Sequence, residues 1–168
     1  RNPMLSHCLV VYGLPSMLEG NISWLFNFSG KPYLSQKWVR AILDEFYGLE
    51  GIHGYGYGQD EDQGQLGAWY VMSALGLFDV KGLTEIDPKF QIGAPLFDKV
   101  TVRLNKDYYP GEKFVIEAKK QAVGDCYLQD ISLNNRPQDT VQLPFSEVVK
   151  GGKLVLGLGA SPNEELTH

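Results

Sequence analysis

Three acidic side chains in a row, Asp60, Glu61 and Asp62, close the glycine-rich run Gly54-Tyr-Gly-Tyr-Gly-Gln59 and stand at the mouth of an apolar segment. In extended backbone, residues two apart project to the same side, so Asp60 and Asp62 would share a face. A carboxylate pair on a loop held between rigid elements is a common way to build a base that takes a proton from water. The glycines admit close backbone approach to a ligand. Tyr55 and Tyr57 between them offer flat faces of the kind sugars favour. The residues thus point to a carbohydrate-processing site, with Asp60 and Asp62 activating water and Glu61, Tyr57 and the neighbouring His53 touching the ligand.

A plainer role competes for one of these residues. Asp62 and Gln65 stand at capping-box spacing, and a carboxylate suits the positive end of a helix. Such a cap is worth about 1 kcal/mol. It leaves Asp60 and Glu61 unexplained, because adjacent carboxylates repel.

The elements that must hold this loop are legible on both sides. Pro32 suits the first turn of a helix running to about Tyr47. Leu34, Trp38, Ile42 and Phe46 form its stripe, Val39 and Leu43 broaden it, and Gly48 follows as a stop. A second helix is predicted from Gln63 to Leu75, apolar on most sides, with Gly76 ending it. From Phe90 onward the chain reads as short strands: 90–92, 99–104, 113–118, 126–132 and 153–158. Pro110-Gly111, Asn134-Asn135-Arg136-Pro137 and Gly151-Gly152 supply turns. The expected fold is therefore mixed α and β, with a helical segment over 1–80 and an antiparallel, strand-rich segment over 81–168.

Composition narrows the function classes. With 168 residues, 43% hydrophobic and 21% charged, the chain has the make-up of an ordinary globular protein. A net charge of −5 and 15 scattered Lys and Arg argue against a nucleic-acid surface. No apolar run approaches the roughly 20 residues that span a bilayer. Cys8 and Cys126 lack further ligands at zinc spacing, and two free thiols are expected rather than a bridge. No Gly-x-Ser-x-Gly elbow, Walker loop or Rossmann fingerprint is present.

The run from Gly58-Gln-Asp60-Glu-Asp62 through Gln-Gly-Gln-Leu-Gly-Ala-Trp-Tyr-Val-Met-Ser-Ala-Leu-Gly-Leu-Phe78 resembles the signature of glycoside hydrolase family 92. Leu25-Phe-Asn-Phe-Ser-Gly-Lys-Pro-Tyr-Leu-Ser-Gln-Lys-Trp-Val-Arg40 upstream and Phe90-Gln-Ile-Gly-Ala-Pro-Leu-Phe-Asp-Lys-Val-Thr-Val102 downstream resemble that family in the same order. The resemblance implies an inverting, calcium-dependent, exo-acting alpha-mannosidase whose base pair is Asp60 and Asp62. It also implies an (alpha/alpha)6 barrel contributing the helices, mannose-containing glycans as partners, and a secreted or periplasmic setting. Calcium ligands would be drawn from Asp62, Asn21 and Gln65, with Asn21 also near the sugar.

Two departures qualify what is implied. The family's acid is a glutamate upstream of all that is present here, so the chain is expected to begin after it and to be catalytically silent alone. Many members carry a glutamate straight after Gly-Asn, whereas Gly20-Asn21 is followed here by Ile22-Ser-Trp24, and Glu19 precedes the pair. A non-catalytic carbohydrate-binding or scaffold module is therefore the rival reading, and a helical-barrel glycosidase acting on another sugar is a third. Faces carrying Leu34, Trp38 and Trp69 are expected to need cover, from the rest of an enzyme or from self-association.

Overall fold

The computed structural model describes residues 17–48 and 64–166. Helix α1 spans Met17–Trp24 and runs into a single 3-10 turn, Leu25–Ser29. Helix α2 spans Pro32–Phe46, with proline at its start where a missing N–H costs nothing. Its buried positions are Pro32, Ser35, Gln36, Val39, Ile42 and Leu43. The inward face is thus turned from the expected stripe, and Leu34 and Trp38 lie half-buried at its margin. The reason is polar. Gln36 faces inward because its Oε1 accepts the Leu128 backbone N–H at 3.0 Å, a role that hydropathy does not register. The helix ends as the chain straightens at Tyr47 (φ −110°, ψ 130°), so Gly48 is not the left-handed stop expected of it.

Helix α3 spans Gln65–Leu75. Its N-cap is Gly64 at φ 90°, with no side-chain cap, which makes Gln65 the first helical residue. The capping box read between Asp62 and Gln65 falls on Asp62, which lies outside the described residues. The end of α3 does follow expectation: Gly76 adopts φ 76° and donates its N–H to the Met72 and Ser73 carbonyls. A side chain there would meet the Pro95 ring at 2.9 Å, so glycine is required twice over.

Strands β1 (Leu77–Phe78), β2 (Lys89–Ile92), β3 (Lys99–Arg103), β4 (Lys113–Lys120), β5 (Tyr127–Leu133), β6 (Arg136–Gln138) and β7 (Gln142–Pro144) follow. The short helix α4 (Phe145–Val149) then leads into β8 (Gly152–Gly159). One sheet has the order β1-β2-β7, and the other β3-β4-β8-β5-β6. The antiparallel expectation needs correcting, because β8 inserts between β4 and β5 and pairs with β4 in parallel, Phe114 opposite Gly152 through Lys120 opposite Leu158. The segment from β5 to α4 is a crossover long enough to return the chain in the same direction. Asn134 and Asn135, both at positive φ, make a two-residue hairpin turn, and β6 resumes at Arg136, within the stretch read from sequence as turn.

Two apolar clusters hold these parts. Phe114, Ile116, Leu128, Ile131, Val141, Leu143, Leu154 and Leu156 fill the sheet core. Trp24, Val39, Ile42, Leu43 and Trp69 fill the helical one, with Tyr47, Tyr70 and Phe78 against it. Trp69 is 4% exposed, which corrects the expectation that it needs an outside partner. The large apolar side chains left in solvent include Ile22, Leu25 and Phe28, spaced three apart along α1 and the 3-10 turn, and Val71 on α3.

Candidate active-site scaffold

Asp60, Glu61, Asp62, Tyr57 and His53 lie outside the described residues, and the structure tests none of their assigned roles. What it describes is the frame on either side of them. Tyr47, at the exit of α2, donates its hydroxyl to the Leu66 carbonyl at 3.1 Å, across to the first turn of α3. Its ring stacks on Trp69 at 5.8 Å and 17°, and tilts against Tyr70 at 4.8 Å. One side chain thus ties together the two ends between which the acidic run is strung. Fixing loop ends shrinks the volume that the loop can explore, which is how a scaffold pre-positions reactive groups. Replacing Tyr47 by phenylalanine keeps the rings and removes the bond. The expected cost is about 0.5–1.5 kcal/mol in a denaturant titration, and an unchanged midpoint would contradict the clamp.

The frame is buttressed from behind by buried polar contacts. Trp24 Nε1 donates to Ser73 Oγ at 3.3 Å, joining α1 to α3. Its ring stacks on Phe78 at 5.4 Å, and a side chain at Gly93 would fall 2.6 Å from its far edge. Asn27 Nδ2 donates to Gln91 Oε1 and to the Ile92 carbonyl. Arg40 Nη2 donates to the Ala94 and Pro95 carbonyls, locking α2 to the chain after β2. Tyr47, Gln36, Asn27 and Arg40 were missed as positioning residues by the sequence reading. Their partners are 19 to 92 positions away, so no local pattern could have announced them.

Asn21 and Gln65, the two described residues proposed to bind calcium, sit within α1 and at the start of α3, each partly buried. Asn21 is helical. Calcium takes six to eight oxygens, largely from carboxylates. Among the described residues there is no group of three or more His, Cys, Asp or Glu able to hold a metal. Two neutral amides fall short, so the described residues alone do not fit the ion, and no chemical step is routed through it.

Other reactive groups are quiet. Cys126 is free and half-buried, and burial pushes its thiol up, away from the thiolate a nucleophile needs. Burial also raises the Asp44 carboxyl, against the lowering charge of Arg40. A groove of about 710 Å³, lined by residues including Phe28, Asp79, Lys81, Gln91 and Gln142, opens after β1. Its lining falls largely in the chain that follows α3 and β1. No helix among the described residues is long and apolar enough to cross a membrane.

Comparison with known proteins gives this frame its class. The sequence profile of the glycosyl hydrolase family 92 catalytic domain matches residues 18–160. The fold is similar to that of an inverting mannosidase of family GH92 from Bacteroides thetaiotaomicron, with 33% identity and a TM-score of 0.73 over 87% of this chain and 18% of that one. It is also similar to a GH92 alpha-mannosidase from the same organism, with 25% identity and a TM-score of 0.75 over 88% of this chain and 19% of that one. A GH92 glycosyl hydrolase called ccman5 shares the fold at 24% identity, with a TM-score of 0.74, over 87% of this chain and 22% of that one. No curated protein sequence gives a significant match. The chain belongs to glycoside hydrolase family 92. It spans about a fifth of the length of the family structures it matches.

Proposed function

We propose that this chain carries the water-activating part of an inverting, calcium-dependent alpha-mannosidase that removes terminal alpha-linked mannose. The observation that carries the reading is family membership over residues 18–160, a stretch that contains the acidic run. Asp60 and Asp62 form the base pair, drawing the proton from a water as it attacks the anomeric carbon. An inverting hydrolase sets its acid about 6.5–9.5 Å from the base, leaving room for that water. Glu61, Tyr57, His53 and Asn21 line the sugar subsite. Calcium, held by Asp62 with Asn21 and Gln65 and by further oxygens, would polarise sugar hydroxyls when bound. The Tyr47 clamp supports this reading, since a base pair is effective only when its loop is held.

In the same proposal α1, α2 and α3 belong to an (alpha/alpha)6 barrel, residues 1–80 being its segment and 81–168 the strand-rich remainder. The apolar row Ile22, Leu25 and Phe28 would then be covered by the rest of an enzyme of family length, or by a second copy. Mannose-containing glycans are the substrate class, in a secreted or periplasmic setting. One GH92 alpha-mannosidase with the same fold has been solved in complex with mannoimidazole. The isolated 168-residue chain is expected to be silent on alpha-1,2-linked mannobiose with calcium, and robust turnover would refute that expectation.

One observation favours a second reading, a non-catalytic carbohydrate-binding module: Ile22 follows Gly20-Asn21 where many members carry a glutamate. Calorimetry with mannose, with and without calcium, separates the two. Binding by the isolated chain without turnover, unaffected by a change of Asp60 to asparagine, supports the module.

A further inference from the structure

The outward face of the five-stranded sheet is basic on a chain whose net charge is −5. Strand register puts Lys99 and Arg103 of β3, Lys113 and Lys119 of β4, and Lys153 of β8 on one side, opposite the face that buries Phe114, Ile116, Leu154 and Leu156. All five are exposed. Glu117 and Asp130 are the carboxylates among them on that face. Lys153 Nζ lies 2.6 Å from Glu117 Oε2. That hydrogen bond first, then the charges of Lys153, Lys99 and Lys119, hold the Glu117 carboxyl below its usual range. Glu117 is thus shared among three ammonium groups, and with Asp130 the face carries two carboxylates against five cations, a surplus of three positive charges.

Two features separate this face from an ordinary solvated surface. Arg103 stands directly opposite Lys113 in the ladder, and like charges at that position weaken a sheet. Lysines on an edge strand guard against edge-to-edge pairing. That accounts for β3, but β4 and β8 are interior strands, and their three lysines guard no edge. Between the cations lie Thr101, Val115 and Val155, with Glu117 opposite Lys99 and two residues before Lys119. Neighbouring strands are about 4.8 Å apart and same-face residues about 7 Å apart along a strand. The positive points are therefore spread out. Arg103 and Lys113 are adjacent across the ladder, Lys99 and Arg103 stand about 13 Å apart along β3, and Lys113 and Lys119 about 20 Å apart along β4, a span of several sugar units.

We propose that this face binds an anionic glycan, one bearing sulfate, phosphate or uronate groups, laid across β3, β4 and β8. The choice of a glycan over other polyanions rests on the family reading given above. The face would hold such a polymer without taking part in the chemistry.

The test is binding of the 168-residue chain to dextran sulfate, phosphorylated mannan and polygalacturonate, with neutral dextran as the control. Retention on at least one of the three anionic glycans is expected, with affinity falling at least about tenfold between roughly 50 and 300 mM salt. The double variant K113E/K119E should lose at least about tenfold in affinity while its Tm stays close to the parent's. The carboxylate placed opposite Arg103 replaces a like-charge pair with an opposite-charge one and offsets the loss of the Lys119 charge beside Glu117. K31E/K37E makes the same change in net charge on the helical side and should bind as the parent does. Equal loss in both variants would overturn the proposal, as would equal retention by neutral dextran or tighter binding to duplex DNA or phosphatidylserine vesicles. Failure of the mannosidase reading would appear separately, as an active chimaera with a GH92 mannosidase whose rate survives replacement of Asp60 and Asp62 by asparagine, with polyanion retention of the chain intact.

Discussion

Replacing Trp24 by alanine is expected to lower the free energy of unfolding by about 3–5 kcal/mol, the range for removing a buried aromatic from a core. Trp24 is fully buried and touches four parts of the molecule. It closes α1, packs against α2, stacks on Phe78 of β1, and lies over Gly93, where any side chain would collide with it. Its loss opens a cavity that rigid neighbours cannot collapse into. It also strands the Ser73 hydroxyl, fully buried and bonded to the indole, which adds the cost of an unsatisfied polar group. Urea denaturation followed by far-UV circular dichroism measures the effect. A loss below about 1 kcal/mol would mean that the helices and sheets are not joined through this ring.

The reason Trp24 matters could not be read from the chain alone. In the sequence its neighbours Gly20-Asn21-Ile22-Ser23 read only as a departure from the family pattern, and α1 runs through them as a helix. By contrast, β2, β3, β4, β5 and β8 are close to their expected bounds, because alternation of apolar and polar residues is a local signal that the sheet core enforces. Gly76 was legible for the same reason, as a left-handed cap just past an apolar run. Pairing partners were not legible. The parallel match of β4 with β8 depends on a crossover of more than thirty residues, and β6 and β7 are too short to show alternation. The buried face of α2 was misjudged because Ser35 and Gln36 enter the core as polar groups. At the site, the family and the acidic run were legible in the sequence, whereas the Tyr47 clamp that frames the run was not.

The largest effect is expected at the acidic run itself. General-base catalysis by a positioned carboxylate is worth about 10²–10⁴ in rate, and asparagine removes the basicity while keeping the shape. In an active chimaera that completes this chain with the rest of a family enzyme, changing Asp60 or Asp62 to asparagine should therefore lower kcat by at least about a hundredfold. KM should stay within about threefold, because a group that acts on water in the transition state adds little to ground-state binding. The two losses should not add in free energy, since the carboxylates share one proton transfer. If Asp62 served only to start α3, its replacement would instead cost about 1 kcal/mol of stability and leave turnover alone.

The most direct measurement places residues 18–160 of this chain in the matching position of the Bacteroides inverting mannosidase and follows mannobiose hydrolysis with calcium. The account predicts turnover by the chimaera, beta-mannose as the first product, and near-abolition of kcat by either asparagine substitution. An active chimaera whose rate survives both substitutions would contradict it.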